Sequence, residues 1–267
     1  MMRLVFWVRI YLRLQVAHLL ARLEYEADFW LGLVGAFLTQ FAGVAFAWVL
    51  FQQVPTLHGW TLEEVACLYA LVLIPRGLVE LFCDGSWQLR QLVNSGQFDR
   101  LLVRPLPPVL QLMAQASSIH GLGSVLLGAF ILFEALSRLG LSLDAARLML
   151  LMGTIAGAAT MIAALNLLTN SVAFWELHLS GSFPALALNL AELAKYPMTL
   201  YGRFLRLFLT AALPLAFISY YPALILLRKE APDAWLGWCS PVAGPLFAGV
   251  AALFWRAGLR RYQGAGH

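Results

Sequence analysis

Few side chains in this sequence have the types and spacing that an active site requires. His120 and Ser124 lie four residues apart on one predicted helix face, a spacing that suggests a nucleophilic serine with a histidine base. The sequence has no Gly-x-Ser-x-Gly turn that would hold such a serine at an oxyanion hole. Cys67, Cys83 and Cys239 are far apart and lack the Cys-x-x-Cys spacing of a zinc site. The pattern therefore favours a protein that has neither a catalytic centre nor a metal centre.

The composition is that of a membrane protein. Of the 267 residues, 61% are hydrophobic and only 12% are charged, about half the charged fraction that is usual in soluble domains. The mean hydropathy of +0.76 indicates the same class. The net charge of +4 comes from arginines that are scattered between apolar runs, so we expect no nucleic-acid partner.

The first 28 residues differ from the apolar runs that follow. They mix leucines and aromatic residues with Arg3, Arg9, Arg13 and Arg22. These arginines interrupt the apolar part, so the segment lacks the order of a cleavable signal peptide. Arginine side chains can extend to lipid phosphates while apolar neighbours enter the membrane. Residues 1–28 are therefore predicted to form an interfacial helix, which we call the elbow helix.

Six apolar runs are long enough to cross a bilayer, because about 20 helical residues span a hydrocarbon core of about 30 Å. The predicted fold is all-α: a polytopic integral membrane protein with six transmembrane helices, folded as a single domain over residues 1–267. The predicted spans are 29–51, 65–83, 109–133, 148–175, 207–227 and 235–255.

The orientation follows from the distribution of basic residues, which are retained on the cytoplasmic side of short loops. Thirteen of the 18 Lys and Arg residues lie on one side if the N-terminus is inside. Both termini are therefore predicted to be cytoplasmic, as are residues 84–108 and 176–203.

Arg76 and Glu80 are charged residues within the second predicted span, and their i, i+4 spacing allows an ion pair. Charges at membrane depth are costly, so they often have a function. Two interpretations stay open: a self-neutralising pair, or a pair that lines a transport path or holds span two against span five.

Other polar and small residues in the spans suggest helix packing. Asn166 and Asn170 are predicted to form hydrogen bonds between helices, and the Gly153-xxx-Gly157 pattern permits close helix approach. Pro214 removes a backbone hydrogen bond within span five. A kink is expected there, which serves either as a hinge or only for packing.

The predicted loop 84–108 contains SGQFDRLLVRP, which reads as a short helix after a turn at Ser95 and Gly96 and before Pro105. With i, i+4 spacing, Phe98 and Leu102 are predicted to share one helix face. A short amphipathic helix outside the bilayer lies either on lipid or in the groove of a soluble partner.

Two stretches resemble the permease subunits of type-2 ABC exporters (ABC-2 type), in particular six-span permeases without a fused ATPase. The stronger resemblance is that of residues 96–111 to the pattern Gly-x-Phe/Leu-Asp-x-Leu-Leu-x-Arg-Pro-Leu-Pro, and its matching residues are Gly96, Phe98, Asp99, Leu101, Leu102, Arg104, Pro105, Leu106 and Pro107. The second stretch is 196–227, in which a proline-bearing span ends in a Tyr-Pro pair, and its matching residues are Pro214, Phe217, Tyr221 and Pro222.

The resemblance implies a subunit of an ATP-driven exporter in the bacterial inner (plasma) membrane. Two permeases, identical or paralogous, would assemble with two copies of a separate ATP-binding subunit. The chain has no Gly-x-x-x-x-Gly-Lys-Ser/Thr loop, so ATP and Mg²⁺ are expected on the partner, this chain is expected to bind no cofactor, and it is not expected to be an enzyme.

The resemblance also implies that the loop seats in a cleft of the ATP-binding subunit. The residues expected at this contact are Gly96, Phe98, Asp99, Arg100, Leu102, Arg104 and Pro105, with Phe98 and Leu102 as apolar anchors. Asp99 has an alternative role as a helix cap or an ion-pair partner. The two arginines have an alternative role as contacts to membrane lipid phosphates.

A second class of function stays open, namely a secondary transporter or channel without an ATPase. It would need buried ionisable groups, and in the spans only Arg76 and Glu80 qualify. The aromatic-rich spans mildly favour an amphipathic or lipid-like cargo over ions.

Overall fold

The computed structural model describes residues 6–16 (without 8 and 12), 26–118, 120–176 and 179–262. These residues form helices and turns, and none of them belongs to a β-strand, so the predicted all-α class is confirmed for this part of the chain. The described residues of the elbow helix, between 6 and 16, are helical. Its predicted remainder lies largely outside the described residues.

In the part of the chain that the structure describes, six longer helices, numbered in chain order, form the bundle. They are α1 Glu26–Gln53, α2 Leu62–Phe82, α3 His120–Arg138, α4 Ala145–Asn170, α5 Leu179–Glu192 and α6 Ser240–Arg261. The helix α2 begins at a capping box, in which the Thr61 hydroxyl accepts from the amide of Glu64 while the Glu64 carboxylate accepts from the amide of Thr61. Asp144 caps α4 in a similar way by accepting from the amide of Arg147.

Shorter helical pieces connect these helices. Between α2 and α3 they are Asp84–Gln88, Leu89–Asn94, Asp99–Leu102 and Pro108–Met113. Between α4 and α6 they are Ser171–Phe174, Leu193–Lys195, Met198–Leu200, Arg203–Leu207, Phe208–Ala212, Leu215–Phe217, Tyr220–Leu226 and Ala234–Cys239.

Among the described residues, four helical segments are long and apolar enough to cross a membrane. They are Leu62–Phe82, His120–Arg138, Ala145–Phe174 and Ala234–Arg261, and a fifth follows if Arg203–Ala212 and Leu215–Leu226 count together as one span. The helix α1 contains the predicted first span, but several of its side chains lie outside the described part and this count does not include it. The predicted total of six spans stays a prediction.

The outward faces of the long helices are apolar. On α3 and α6 the exposed side chains recur three and four residues apart, as in Leu126, Phe130 and Phe133 and in Leu246, Val250 and Leu253. A soluble helix would present charges there, whereas lipid chains solvate these side chains well. The bundle is therefore built for a bilayer.

Glycines bring two helix pairs into close contact. A Cβ atom on Gly121 of α3 would lie 2.3 Å from the carbonyl oxygen of Gly77 on α2. A Cβ atom on Gly244 of α6 would lie 1.8 Å from the carbonyl oxygen of Gly157 on α4. The predicted close approach at Gly157 thus occurs within the chain, against the last helix.

The segment predicted as the third span, 109–133, is divided in the structure. A short helix ends at Met113, and α3 begins only at His120. Between them the amide of Ser118 donates to the carbonyl oxygen of Glu80 in the last turn of α2, at 2.7 Å. That carbonyl lacks an intrahelical partner. The non-helical residues between Met113 and His120 therefore cap the C-terminal end of α2.

The fifth span predicted at 207–227, with a kink at Pro214, is a broken helix pair in the structure, formed by Arg203–Ala212 and Leu215–Leu226. The two parts meet at 78°, on either side of Leu213 and Pro214. Pro214 has no amide hydrogen to continue the helix, so the expected kink is a full break.

Both ends of the broken pair lie at one end of the bundle. Arg206 pairs with Asp233 at 2.7 Å, and Lys229 pairs with Glu64 in the first turn of α2, also at 2.7 Å. Asp233 and Lys229 are only four residues apart in sequence, so the pair enters and returns on the same side. This geometry favours a re-entrant loop over a single crossing, and we call the two helices the re-entrant pair.

Residues 176–203 were predicted to lie on the cytoplasmic surface. Helix α5, which belongs to this stretch, follows a different path. Gly181 lies against the guanidinium of Arg90, beside the loop that follows α2. Lys195 lies 4.7 Å from the centre of the Tyr69 ring, about two turns from the start of α2. Residues 179–195 therefore run lengthwise along α2, away from the predicted cytoplasmic side. At their far end Lys195 is buried in the bundle and Glu192 is half-buried.

Candidate coupling surface

The segment Asp84–Met113 folds as a compact unit at one end of the bundle, which we call the loop end. Gly85 makes this packing possible, since a Cβ atom at this position would lie 1.9 Å from the carbonyl oxygen of Leu112. The short helices Asp84–Gln88 and Pro108–Met113 therefore touch backbone to backbone.

Gln111 fixes the part of the segment that carries the prolines. Its side-chain amide donates to the carbonyl oxygens of Leu101 at 2.9 Å and Leu106 at 2.7 Å. Gln111 itself is buried, with 4% of its surface exposed. Two carbonyl groups on either side of Pro105 are thus satisfied by one side chain, which holds this stretch in a single shape.

The turn expected at Ser95 and Gly96 is present. Gly96 has a φ of 68°, in the left-handed region that glycine adopts without steric cost. The amide of Phe98 then donates to the carbonyl oxygen of Leu92 at 3.0 Å, across the turn. This reversal directs the Phe98 side chain back toward the bundle.

Phe98 is the centre of an aromatic cluster rather than part of the surface. Its ring is fully buried and meets the rings of Phe174, Trp255 and Tyr262 edge to face, with centroids 5.2, 6.1 and 5.0 Å away. Leu101 is buried beside it. The cluster joins the loop to the end of α4, to α6 and to the residue that follows α6.

The prediction that Phe98 and Leu102 share one face is wrong. Phe98 is buried, whereas 42% of Leu102 is exposed. The amides of Arg100 and Leu101 bond three residues back, so this turn has the tighter i, i+3 spacing. That spacing pairs Phe98 with Leu101 on the inner face and leaves Leu102 outside.

The exposed part of the loop is a small patch of mixed character. It comprises Arg100, Leu102, Val103, Arg104 and Pro105, and we call it the coupling patch. Val103 is 84% exposed, the largest exposed fraction among the apolar side chains of this loop. Asp99 is half-buried beside the patch and forms no ion pair with either arginine in the described structure.

The elbow helix is attached where α2 enters the loop. The Tyr11 hydroxyl and the Gln15 amide both donate to the carbonyl oxygen of Phe82, the Gln15 bond at 2.6 Å. Burial, and to a smaller extent the nearby Cys83 side chain, raise the pKa of Tyr11, so its hydroxyl stays protonated as a donor. Two hydrogen bonds thus join the predicted elbow helix to the end of α2.

Arg76 lies in a larger group of charges than the sequence suggested. It pairs with Glu80 at 3.0 Å, as the spacing predicted, and also with Glu192 at the end of α5. Glu192 in turn pairs with Lys195, which lies over the Tyr69 ring. Two cations and two carboxylates neutralise one another, and the group holds α2 against α5.

The remaining candidate residues take structural positions. Asn170 donates to the carbonyl oxygen of Asn166 in its own helix at 2.8 Å, so the expected bond between helices is replaced by one within α4. The Ser124 hydroxyl lies 3.4 Å from the backbone carbonyl oxygen of His120, not from its imidazole ring. Pro214 lies at the break in the re-entrant pair.

Sequence reasoning missed several residues that shape this end of the protein. Gln111 was recognisable as the polar residue of an apolar helix, and Glu192 as a charge that needs a partner in the bundle. Gly85 gave no signal, because its role depends on an approach of two chain segments that are distant in sequence.

Comparison with known proteins yields one result. The family described as ABC-2 family transporter protein matches residues 37–266, which is most of the chain. No curated protein and no solved structure matches significantly. The match includes the coupling patch, the charge group around Arg76 and the re-entrant pair. The chain is thus a multi-pass membrane protein that belongs to the ABC-2 family of transporter proteins.

Proposed function

We propose that the chain is the permease subunit of an ATP-driven exporter. Two permeases, identical or paralogous, would assemble with two copies of a separate ATP-binding subunit, which binds ATP and Mg²⁺. The chain itself is then a transport subunit and not an enzyme. Family membership supports this proposal, together with the basic residues at the loop end, which favour a cytoplasmic position. The proposed site of action is the bacterial inner membrane, with both termini in the cytoplasm.

The main observation behind the proposal is the coupling patch, which lies on a turn that Phe98 anchors to the bundle. Val103 and Leu102 are exposed apolar side chains outside the predicted spans, flanked by Arg100 and Arg104. Such a patch fits the common plan of an interface, with an apolar centre and a charged rim. The buried face of the same turn is locked by Phe98 to the ends of α4 and α6. A partner that seats on the patch can therefore move the bundle.

The mechanism follows from these connections. ATP-driven closure of the partner would displace the loop, and the Phe98 cluster would pass the displacement to α4 and α6. The bond from Gln15 to the end of α2 would move the elbow helix with it. The ion pairs of Arg76 would carry the motion of α2 to α5, which leads into the re-entrant pair at the opposite end. Rigid elements of this kind transmit small shifts over long distances.

The test compares two variants, in each of which glutamate replaces an exposed valine. Val103→Glu places a carboxylate in the coupling patch, and Val54→Glu places one in the exposed link between α1 and α2 at the opposite end. The permease is purified from its native host, and the co-purified ATP-binding subunit is quantified. We expect Val103→Glu to lower recovery of the partner about tenfold or more, since a carboxylate at the apolar centre of an interface loses its hydration when the partner binds. Val54→Glu should retain it.

Equal recovery with both variants would show that the coupling patch does not bind the partner. A channel or secondary transporter needs no such partner, so wild-type permease that carries no ATP-binding protein would favour that class. Within the group around Arg76, all four charged side chains are paired with one another, so this group does not favour the alternative.

A further inference from the structure

We infer that a cavity between α1, α2 and α3 binds an apolar molecule that carries a positive charge. The cavity has a volume of about 330 Å³, at the lower end of the range typical of small-molecule sites. Helix α1 contributes Trp48, α2 contributes Glu63 and Tyr69, and α3 contributes Phe130, Glu134 and Arg138.

The charges that line this cavity do not cancel. Glu134 and Arg138 form an ion pair at 2.8 Å. Glu63 lies within electrostatic reach of Arg138 but forms no hydrogen bond or ion pair among the described residues, whereas the adjacent Glu64 is occupied by Lys229 and by the helix cap. Two carboxylates and one guanidinium leave one negative charge in a cavity whose other walls are largely apolar. A cation is the occupant that neutralises it.

The aromatic walls favour the same occupant. Trp48, Phe130 and Tyr196 line the cavity, and the faces of such rings attract cations. Tyr69 also lines it, but its ring already interacts with Lys195. Val44, Val65, Ala66 and Ile131 supply apolar surface for the body of the molecule. An anion would be repelled by Glu63. A neutral apolar molecule would desolvate that carboxylate without compensation.

The position of the cavity separates it from the coupling patch. Glu63 is in the first turn of α2 and Arg138 is the last residue of α3, so the cavity lies at the end of the bundle opposite the loop end. Its binding property concerns this chain alone and does not rest on the proposed exporter function.

The experiment uses two probes of nearly the same size and shape but opposite charge, tetraphenylphosphonium and tetraphenylborate. Their binding to the full-length protein in lipid nanodiscs is measured by equilibrium dialysis, with binding to empty nanodiscs subtracted. We expect specific binding of the cation only. Glu63→Gln should weaken it about tenfold, because the substitution removes the carboxylate that carries the uncompensated negative charge of the cavity.

Glu230→Gln is the matched control, because it makes the same change at an exposed residue at the same end of the bundle without lining the cavity. It should leave the affinity within about twofold of the wild-type value. Trp48→Leu tests the aromatic wall independently of the carboxylate and should weaken cation binding severalfold.

The charged group of the natural occupant has two possible sources, a free amphipathic cation or the ammonium headgroup of a lipid. Nanodiscs of phosphatidylglycerol, with and without phosphatidylethanolamine, distinguish them. If phosphatidylethanolamine competes with the probe, the occupant is a lipid ammonium group, and if it does not, the occupant is a free cation. Equal binding of both probes, or unchanged affinity in Glu63→Gln, would overturn the inference, whatever the result with the ATP-binding partner.

Discussion

Truncation of Phe98 to alanine tests whether the loop is anchored as described. The side chain is fully buried and touches three aromatic rings, so Phe98→Ala removes the centre of a packed cluster. Truncations of this kind cost about 3–5 kcal/mol in protein cores. Because the cluster joins elements that are far apart in sequence, we expect the loss to appear as local opening of the loop rather than as unfolding of the bundle.

The assay is amide hydrogen exchange of the purified protein, followed by mass spectrometry of peptides from residues 84–113. A loss of about 3 kcal/mol corresponds to an increase of about 100-fold in the open population. Exchange of these peptides should therefore accelerate by that factor, while peptides from α2 and α3 stay protected.

The control is Phe204→Ala, the same truncation at a side chain that is 85% exposed. Exposed truncations change stability by about 0.5 kcal/mol or less, so loop exchange should be unaffected. If Phe98→Ala and Phe204→Ala gave the same exchange in the loop, the aromatic cluster would not be what anchors it.

Three further predictions concern the bundle. Glu192→Gln leaves two cations with one carboxylate and should destabilise the protein by about 2 kcal/mol, measured as a lower thermal midpoint than that of the wild type; an unchanged midpoint would contradict the charge group. Gly244→Ala should strongly reduce the yield of monodisperse protein in size-exclusion chromatography, because its Cβ atom would overlap α4, whereas Gly249→Ala in the same helix has open space and should behave as wild type. Arg206→Glu and Asp233→Arg should each lower stability by about 1 kcal/mol, and the double variant should recover most of it; additive losses would argue against the re-entrant geometry.

Much of the helical arrangement was accessible from the sequence because lipid imposes simple rules. Long apolar runs predicted α2 to within three residues and α4 and α6 to within about six, since a helix that crosses a bilayer must satisfy its own backbone. The same rules did not give the shape of residues 207–227, which form a helix pair bent by 78°. An apolar run of that length predicts a crossing, but its two ends are drawn to one side by Asp233 and Glu64, which are distant in sequence.

The candidate site shows a similar division. The loop, its turn at Gly96 and its end near Pro105 were recognisable from local signals. The sequence did not show which side of the turn faces outward. That side is set by contacts of Phe98 with Phe174, Trp255 and Tyr262, which come together only in the fold. Only one of the two partners of Arg76 was predicted, for the same reason. Glu80 is close to Arg76 in sequence, whereas Glu192 is distant.

The most direct test of the central claim is site-specific photo-crosslinking from the coupling patch. A photoreactive amino acid is placed at position 103 in one permease and at position 54 in another, and both are irradiated in intact cells. The account predicts an adduct between permease and ATP-binding subunit from position 103 and none from position 54. An adduct from position 54, or none from position 103 in cells that transport normally, would contradict it.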